Sequence, residues 1–199
     1  MNHLAHLLLA EPTPESRLGN LAADYVWHRE IAGLPEAVRR GIKQHQQVDA
    51  FTDRHPVVQR SIRRLNEKWG WFTGILIDVY YDHLLALSWA DHSPVPLDLF
   101  AFEVNADLLS VAHLLPASAE ESVRRIAETN RIATYRDLSG IEAALIRLTY
   151  IIRQRIPQRA MELVEAMPDL AANHDDLVVD FAEFFPQLIK ASRTPSGVG

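Results

Sequence analysis

The sequence predicts an all-α fold, and three observations carry that prediction. Apolar residues recur at three- and four-residue spacing over most of the chain. No segment alternates every second residue between hairpin turns. The 8 glycines and 11 prolines stand between the periodic stretches as punctuation. A chain of 199 residues, 48% hydrophobic and 23% charged, suits one globular domain around a single core. We expect a single-domain bundle of about eight helices over residues 1–191, and a small polar tail at 192–199 that is disordered.

The elements follow in order. Residues 1–10 read as a short helix closed by the Pro12-Thr13-Pro14 turn, and a second helix is expected over 15–30, with Gly19 as its weak point. Pro35 suits the first turn of a third helix that carries Val38, Ile42, Val48 and Phe51. The His55-Pro56 step should break it, because a residue before proline avoids the helical region. Another helix spans 56–65. Residues 71–89 form a strongly apolar helix interrupted by Asp78, Asp82 and His83, and Pro94 and Pro96 separate it from a helix over 97–115. Capping-box patterns at Ser118/Glu121 and Ser139/Glu142 announce two more helices. The last covers 170–191 and holds Phe181, Phe184 and Phe185.

Composition narrows the chemistry. There is no cysteine, so thiolate ligands and disulfides are excluded and a metal must rest on imidazole, carboxylate, amide or water. The formal net charge of −6, from 20 Lys+Arg against 26 Asp+Glu, argues against general affinity for nucleic acid. The apolar run 7–10 is too short for a signal peptide, and the longest one, 69–77, is closed by Asp78 before it could span a bilayer. These features point to a cytoplasmic protein with no membrane partner.

Polar residues on apolar helices carry the functional argument. Asn2 and His6 are four apart; Asn20, Asp24 and His28 form a ladder of two such steps, and so do His45, Asp49 and Asp53. Asp78 and Asp82 make a fourth pair, with His83 beside it. Residues four apart share a helix face, so each ladder presents its polar groups in one direction. Asp24 and Asp78 sit among apolar neighbours, and a carboxylate taken out of water costs several kcal/mol unless it is paired or bound to a cation. Single ladders are ordinarily hydrogen-bonded or exposed residues; four on neighbouring helices favour a metal site. Imidazole with carboxylate and no sulfur suits Mn²⁺, Mg²⁺ or Fe²⁺. No Glu-x-x-His of the di-iron bundles occurs, nor a phosphate-binding glycine loop, nor Gly-x-Ser-x-Gly.

At these residues a resemblance emerges. Met1-Asn2-x-Leu4-Ala5-His6-Leu7, Gly19-Asn20-Leu21-x-Ala23-Asp24, Gly41-Ile42-x-x-His45-x-x-Val48-Asp49-x-x-Thr52-Asp53 and Asp78-x-x-x-Asp82-His83 resemble the motifs of acyl carrier protein phosphodiesterases. Phe181-x-x-Phe184-Phe185-Pro186-x-Leu188 is similar to the closing pattern of that family. The resemblance implies a helical fold related to the His-Asp-type metal phosphohydrolases. It also implies hydrolysis of phosphopantetheine from holo-acyl carrier protein, with a divalent cation, Mn²⁺ first, as cofactor.

On that reading Asp24, His45, Asp49, Asp78 and Asp82 are the expected metal ligands. Asn20, His6, His83 and Asp53 are the expected catalytic companions, His83 or His6 as proton donor to the leaving alkoxide. Arg39, Arg40 and Lys43, just before His45, form the expected docking patch for acyl carrier protein as an acidic partner. Two other readings stay open: a nucleotide or small-molecule phosphohydrolase with the same site, and a helical binding module whose ladders are buried hydrogen-bond networks.

Overall fold

The computed structural model describes residues 1–159 and 161–193. Among them the chain is helical, with short 3₁₀ turns and no strand, so the expected all-α class holds. The α-helices are α1 (His3–Leu9), α2 (Pro14–Ala22), α3 (His28–Ile31), α4 (Glu36–Arg54), α5 (Pro56–Trp69), α6 (Thr73–Leu87), α7 (Leu97–Val111), α8 (Ala117–Glu128), α9 (Leu138–Arg155), α10 (Met167–Ala172) and α11 (His174–Arg193). The expected helices correspond to α1, α2, α4 to α9 and α11, and α3 and α10 are short additions to them.

Local chemistry sets the ends. The Asn2 side chain accepts from the His3 amide at the start of α1, and Thr13 accepts from Ser16 ahead of Pro14 in α2. His55 closes α4 and opens α5, its ring nitrogen accepting from the Val57 amide. Three boundaries differ from expectation. The helix expected over 15–30 stops at Ala22, where the amides of Tyr25 and Val26 both turn back to the Ala22 carbonyl. That turn buries Val26 and takes Asp24 off the helix. Ser118 and Ser139 lie inside the first turns of α8 and α9, whose N-caps are Pro116 and Asp137, so neither forms a capping box. The final helix breaks at Asn173 into α10 and α11, and α11 includes Ser192 and Arg193 of the expected tail. Residues 194–199, where the rest of that expectation falls, lie outside the described residues.

The core is one continuous cluster of buried apolar side chains. Its axis is α6, apolar on nearly every side: Leu76, Ile77, Val79, Tyr80, Tyr81, Leu84 and Leu85 are all buried. A helix hydrophobic all round has to be enclosed by others, as its sequence suggested. Tyr81 packs against Phe181 and Phe184 of α11, and its hydroxyl shares a 2.8 Å hydrogen bond with Ser61 of α5.

Two contacts fix the frame on which the polar ladders stand. Gly19 of α2 faces Gly41 of α4 so closely that a Cβ on Gly19 would lie 2.2 Å from the Val38 carbonyl oxygen and 2.9 Å from the Gly41 Cα. Gly19 is thus the point of closest approach between the two helices, not a weakness within one. The second contact is Asp180 of α11, only 1% exposed, which receives Ser61 Oγ at 2.6 Å, Arg60 Nε at 2.7 Å and Arg64 Nε at 3.3 Å. Burial alone would raise the Asp180 carboxyl, but these three donors outweigh it and hold it below the ordinary carboxylate range.

Each contact gives a prediction. Gly41→Ala should cost about 3 kcal/mol, because backbone rather than a flexible side chain obstructs the methyl, whose site lies 2.6 Å from the Ser16 carbonyl oxygen. A denaturant midpoint equal to wild type would refute this close-approach account. Asp180→Ala should also cost about 3 kcal/mol, since it strands buried donors. A carboxylate with a depressed folded-state pKa stabilises above its unfolded value of about 4 and loses that contribution as pH falls through the folded value. Thermal melts from pH 6 to pH 2 should therefore decline more steeply for wild type than for Asp180→Asn.

Candidate active site

Four elements meet at one end of a cavity of about 970 Å³. α1 supplies His6, the turn after α2 supplies Asp24, α4 supplies His45 and Asp49, and α6 supplies Asp78. Asp49 is the hinge of the group: one oxygen lies 3.0 Å from His6 Nε2 and the other 2.9 Å from His45 Nε2. Asp24 approaches His45 Nε2 at 3.5 Å, and the chain's amino group donates to Asp78 at 2.9 Å. The two imidazoles stack with centroids 3.8 Å apart.

Backbone groups orient these side chains. His45 Nδ1 sits 2.8 Å from the Asn20 carbonyl, an acceptor only, so Nδ1 carries the proton and Nε2 is the atom presented to Asp24 and Asp49. The Asn20 side chain is fully buried and donates to the Ser16 carbonyl and to Gln44 Oε1, both at 3.0 Å. It therefore braces α2 against α4 while its carbonyl sets the His45 tautomer. His6 Nε2 faces two acceptors, Asp49 and the Met1 carbonyl at 3.2 Å, while its Nδ1 is buried with no partner among the described residues.

The electrostatics match this crowding. Burial works against a charge on His45, but the carboxylates of Asp24 and Asp49 outweigh it and lift His45 to about 10. His6 is pushed down to about 4 by burial, with His45 and the amino group adding repulsion. Asp49 stays well below the usual carboxylate range in spite of burial, because His45 and His6 hydrogen-bond to it. Burial raises Asp78, and the neighbouring ammonium opposes it. The cluster is thus a set of acceptors with protons held between them. His6, His45 and Asp49 offer three ligand atoms within 4.8 Å of one another, a donor set of two imidazoles and a carboxylate that fits a divalent cation such as Mn²⁺, Fe²⁺ or Zn²⁺.

The remaining expected residues divide clearly. Asp82 is fully buried and spends both oxygens on α1, accepting from the Leu4 amide at 2.6 Å and the Ala5 amide at 3.2 Å. Burial pushes it up to about 7 against the pull of the ammonium and these two amides. His83 points away from the cluster, its Nδ1 2.7 Å from the Tyr135 carbonyl. Asp53 is exposed, one turn beyond Asp49. Arg39 donates to the carbonyls of Ala32 and Leu34, Arg40 pairs with Glu36, and with Lys43 they lie on an exposed face that does not line the cavity.

Sequence reasoning gave no role to four cavity residues: His3, whose Nε2 lies 3.1 Å from the Tyr25 hydroxyl, Tyr25 itself, and Arg131 and Arg147 across the cavity. Only the adjacency of Tyr25 to Asp24 hinted at them.

The family model described as acyl carrier protein phosphodiesterase matches residues 1–188. Curated proteins named acyl carrier protein phosphodiesterase are similar over nearly the whole chain. One, from Serratia proteamaculans, is 30% identical over 194 residues, covering 97% of this chain and 98% of its own length. Another, from Escherichia coli O6:H1, is 30% identical over 198 residues with the same shares. No solved structure matches the chain.

Asp82 and Asp49 should separate on mutation. Asp82→Ala strands two amides of α1 and should lower stability by about 3 kcal/mol in the presence of chelator. Asp49→Ala, at a half-exposed position, should change the melting temperature far less, and should remove any stabilisation that added Mn²⁺ gives the wild type. Calorimetric melting with and without Mn²⁺ measures both, and an unchanged melt for Asp82→Ala would show that α1 does not depend on that carboxylate.

Proposed function

The chain belongs to the acyl carrier protein phosphodiesterase family, and from that premise we propose that it is a divalent-cation-dependent phosphodiesterase that releases phosphopantetheine from holo-acyl carrier protein. The convergence of His6, His45 and Asp49 at the end of a large cavity carries the proposal. His6, His45 and Asp49 would hold the cation, with Asp24 and Asp78 alongside. Bound there, a cation such as Mn²⁺ supplies positive charge for the phosphoryl oxygens and for activating the attacking water.

The other roles belong to the chain's own side chains. Asp24, 54% exposed and tied only at 3.5 Å to His45, is free to orient water at its second oxygen and take its proton. The His3–Tyr25 pair faces the cavity beside it, and burial holds His3 down to about 4 and Tyr25 up to about 12, so both are neutral at pH 7. A neutral phenol at that position donates a hydrogen bond to an anionic phosphoryl oxygen or to the departing alkoxide. Asn20 fixes His45, and Asp82 seats α1 so that His6 reaches Asp49. His83 and Asp53 stand outside this arrangement, His83 bracing the Tyr135 wall. The apolar wall, with Trp71 58% exposed and Tyr150 65% exposed, gives the uncharged pantetheine arm a surface to lie on.

Incubation with holo-acyl carrier protein, followed by intact mass, tests the reading directly. The expected result is the mass of the apo protein, lost on chelation and restored by Mn²⁺, and lost by at least about 100-fold in Asp49→Ala or His45→Ala. Full turnover by a metal-free protein would refute the cation's role, and an unchanged holo mass would refute the substrate.

A further inference from the structure

Four arginines, Arg125, Arg131, Arg147 and Arg155, border the cavity that holds the His–Asp cluster. Elsewhere the protein pairs its partly buried arginines with carboxylates, as in Arg17 with Asp107 and Arg64 with Asp176 and Asp180. At the cavity mouth Arg125 pairs with Glu121 in the same way. Arg131 and Arg147 depart from this pattern. Both are half-buried, and neither has a carboxylate partner among the described residues. Arg131 donates from Nε to Thr129 Oγ1 at 3.1 Å, which leaves its two terminal nitrogens for another acceptor.

The charge on Arg131 is disfavoured: burial lowers its pKa, and Arg147 and then Arg125 lower it further. Two half-buried like charges lining one cavity, with no carboxylate partner among the described residues, mark a place that an anion would complete. Their position identifies which anion. Arg131 and Arg147 line the same cavity as Asp24, Tyr25, His45 and Asp49, and Asp24 and both arginines act electrostatically on the Tyr25 hydroxyl, so the arginines belong to the cavity of the cluster. Arg125 and Arg155 are exposed, and an acidic protein surface would meet them first. A small, doubly accepting group that enters the cavity would meet Arg131 and Arg147, whose planar forks suit phosphoryl oxygens.

We propose that Arg131 and Arg147 form a phosphoryl-binding subsite, in the cavity that Tyr25, His45 and Asp49 also line, that takes the non-bridging oxygens of the phosphopantetheine phosphate. The subsite deepens the phosphodiesterase reading and rests on it for the identity of the ligand. It divides the cavity into an anion seat, a reacting cluster and an apolar wall for the uncharged arm.

The test compares two ligands that differ only in the phosphate. Binding of 4′-phosphopantetheine and of pantetheine is measured by titration calorimetry in the presence of chelator, for wild type, Arg131→Gln, Arg147→Gln and Arg147→Lys. Wild type should prefer the phosphorylated ligand by at least about tenfold, the strength of one charge-assisted hydrogen bond. Each Gln variant should lose most of that preference while its affinity for pantetheine is unchanged, and Arg147→Lys should keep part of it. Melting temperatures of the Gln variants should hold or rise, since removing one cation relieves the other; a marked fall in both would assign the pair a structural role and overturn the proposal. Equal wild-type affinity for the two ligands would overturn it too. So would variants that retain the phosphate preference yet lose turnover on holo-acyl carrier protein, which would place the carrier's acidic surface on these arginines. Wild type that shows the arginine-dependent preference but leaves the holo carrier intact would support the subsite while refuting the catalytic reading.

Discussion

The site depends on a single carboxylate that reacts with nothing. Asp82, fully buried on α6, accepts the Leu4 and Ala5 amides at the first turn of α1. A seven-residue helix is too short to persist on its own packing, and the free amides at its start are among the four that no helix can satisfy internally. By accepting two of these amides, Asp82 anchors α1 in an apolar interior where water would otherwise be needed. Only then does His6, on the next turn, reach Asp49 and stack on His45, which lines the cavity. The His–Asp cluster therefore depends on an interaction between α1 and α6 before it depends on any ligand.

The same logic recurs at the other helices. Gly19 and Gly41 let α2 and α4 touch backbone to backbone, which is why the Asn20 carbonyl can reach His45 Nδ1 and the Asn20 side chain can reach Gln44. A larger residue at either glycine would separate the two helices and take the Asn20 carbonyl away from His45 Nδ1. Close packing, hydrogen bonding and protonation state are here one constraint seen at three levels.

Much of this was legible in the sequence, and the limits are instructive. Periodicity located the long helices because each buries one face, and α6 declared itself by having no polar face. Four-residue spacing on apolar stretches singled out His6, Asp24, His45, Asp49, Asp78 and Asp82, and the fold gathers the first five into one cluster. What spacing could not give was the direction of each side chain. Asp78 and Asp82 share a face, yet one reaches the cavity and the other ends on backbone amides, because α1 lies across that face. The ladder through Asp24 was correct in destination and wrong in geometry: α2 ends at Ala22, and a turn rather than a helix brings Asp24 to His45. His83, adjacent to Asp82, turns to the Tyr135 carbonyl, which no local pattern announces. Arg131 and Arg147 come from segments more than a hundred residues beyond His6, with no motif of their own, and only the folded chain shows that they share its cavity.

The position of α11 in the chain has a consequence for biosynthesis. Every side chain of the cluster lies within the first 78 residues, so translation delivers the whole set early. The frame that braces them comes last: Phe184 packs on Phe51 and Tyr81, Gln187 meets His55 where α4 passes into α5, and Asp180 gathers Arg60, Ser61 and Arg64. A nascent chain on the ribosome thus holds a complete inventory of acidic and imidazole groups with one side of its core still open. That side closes when α11 emerges and packs over α4, α5 and α6.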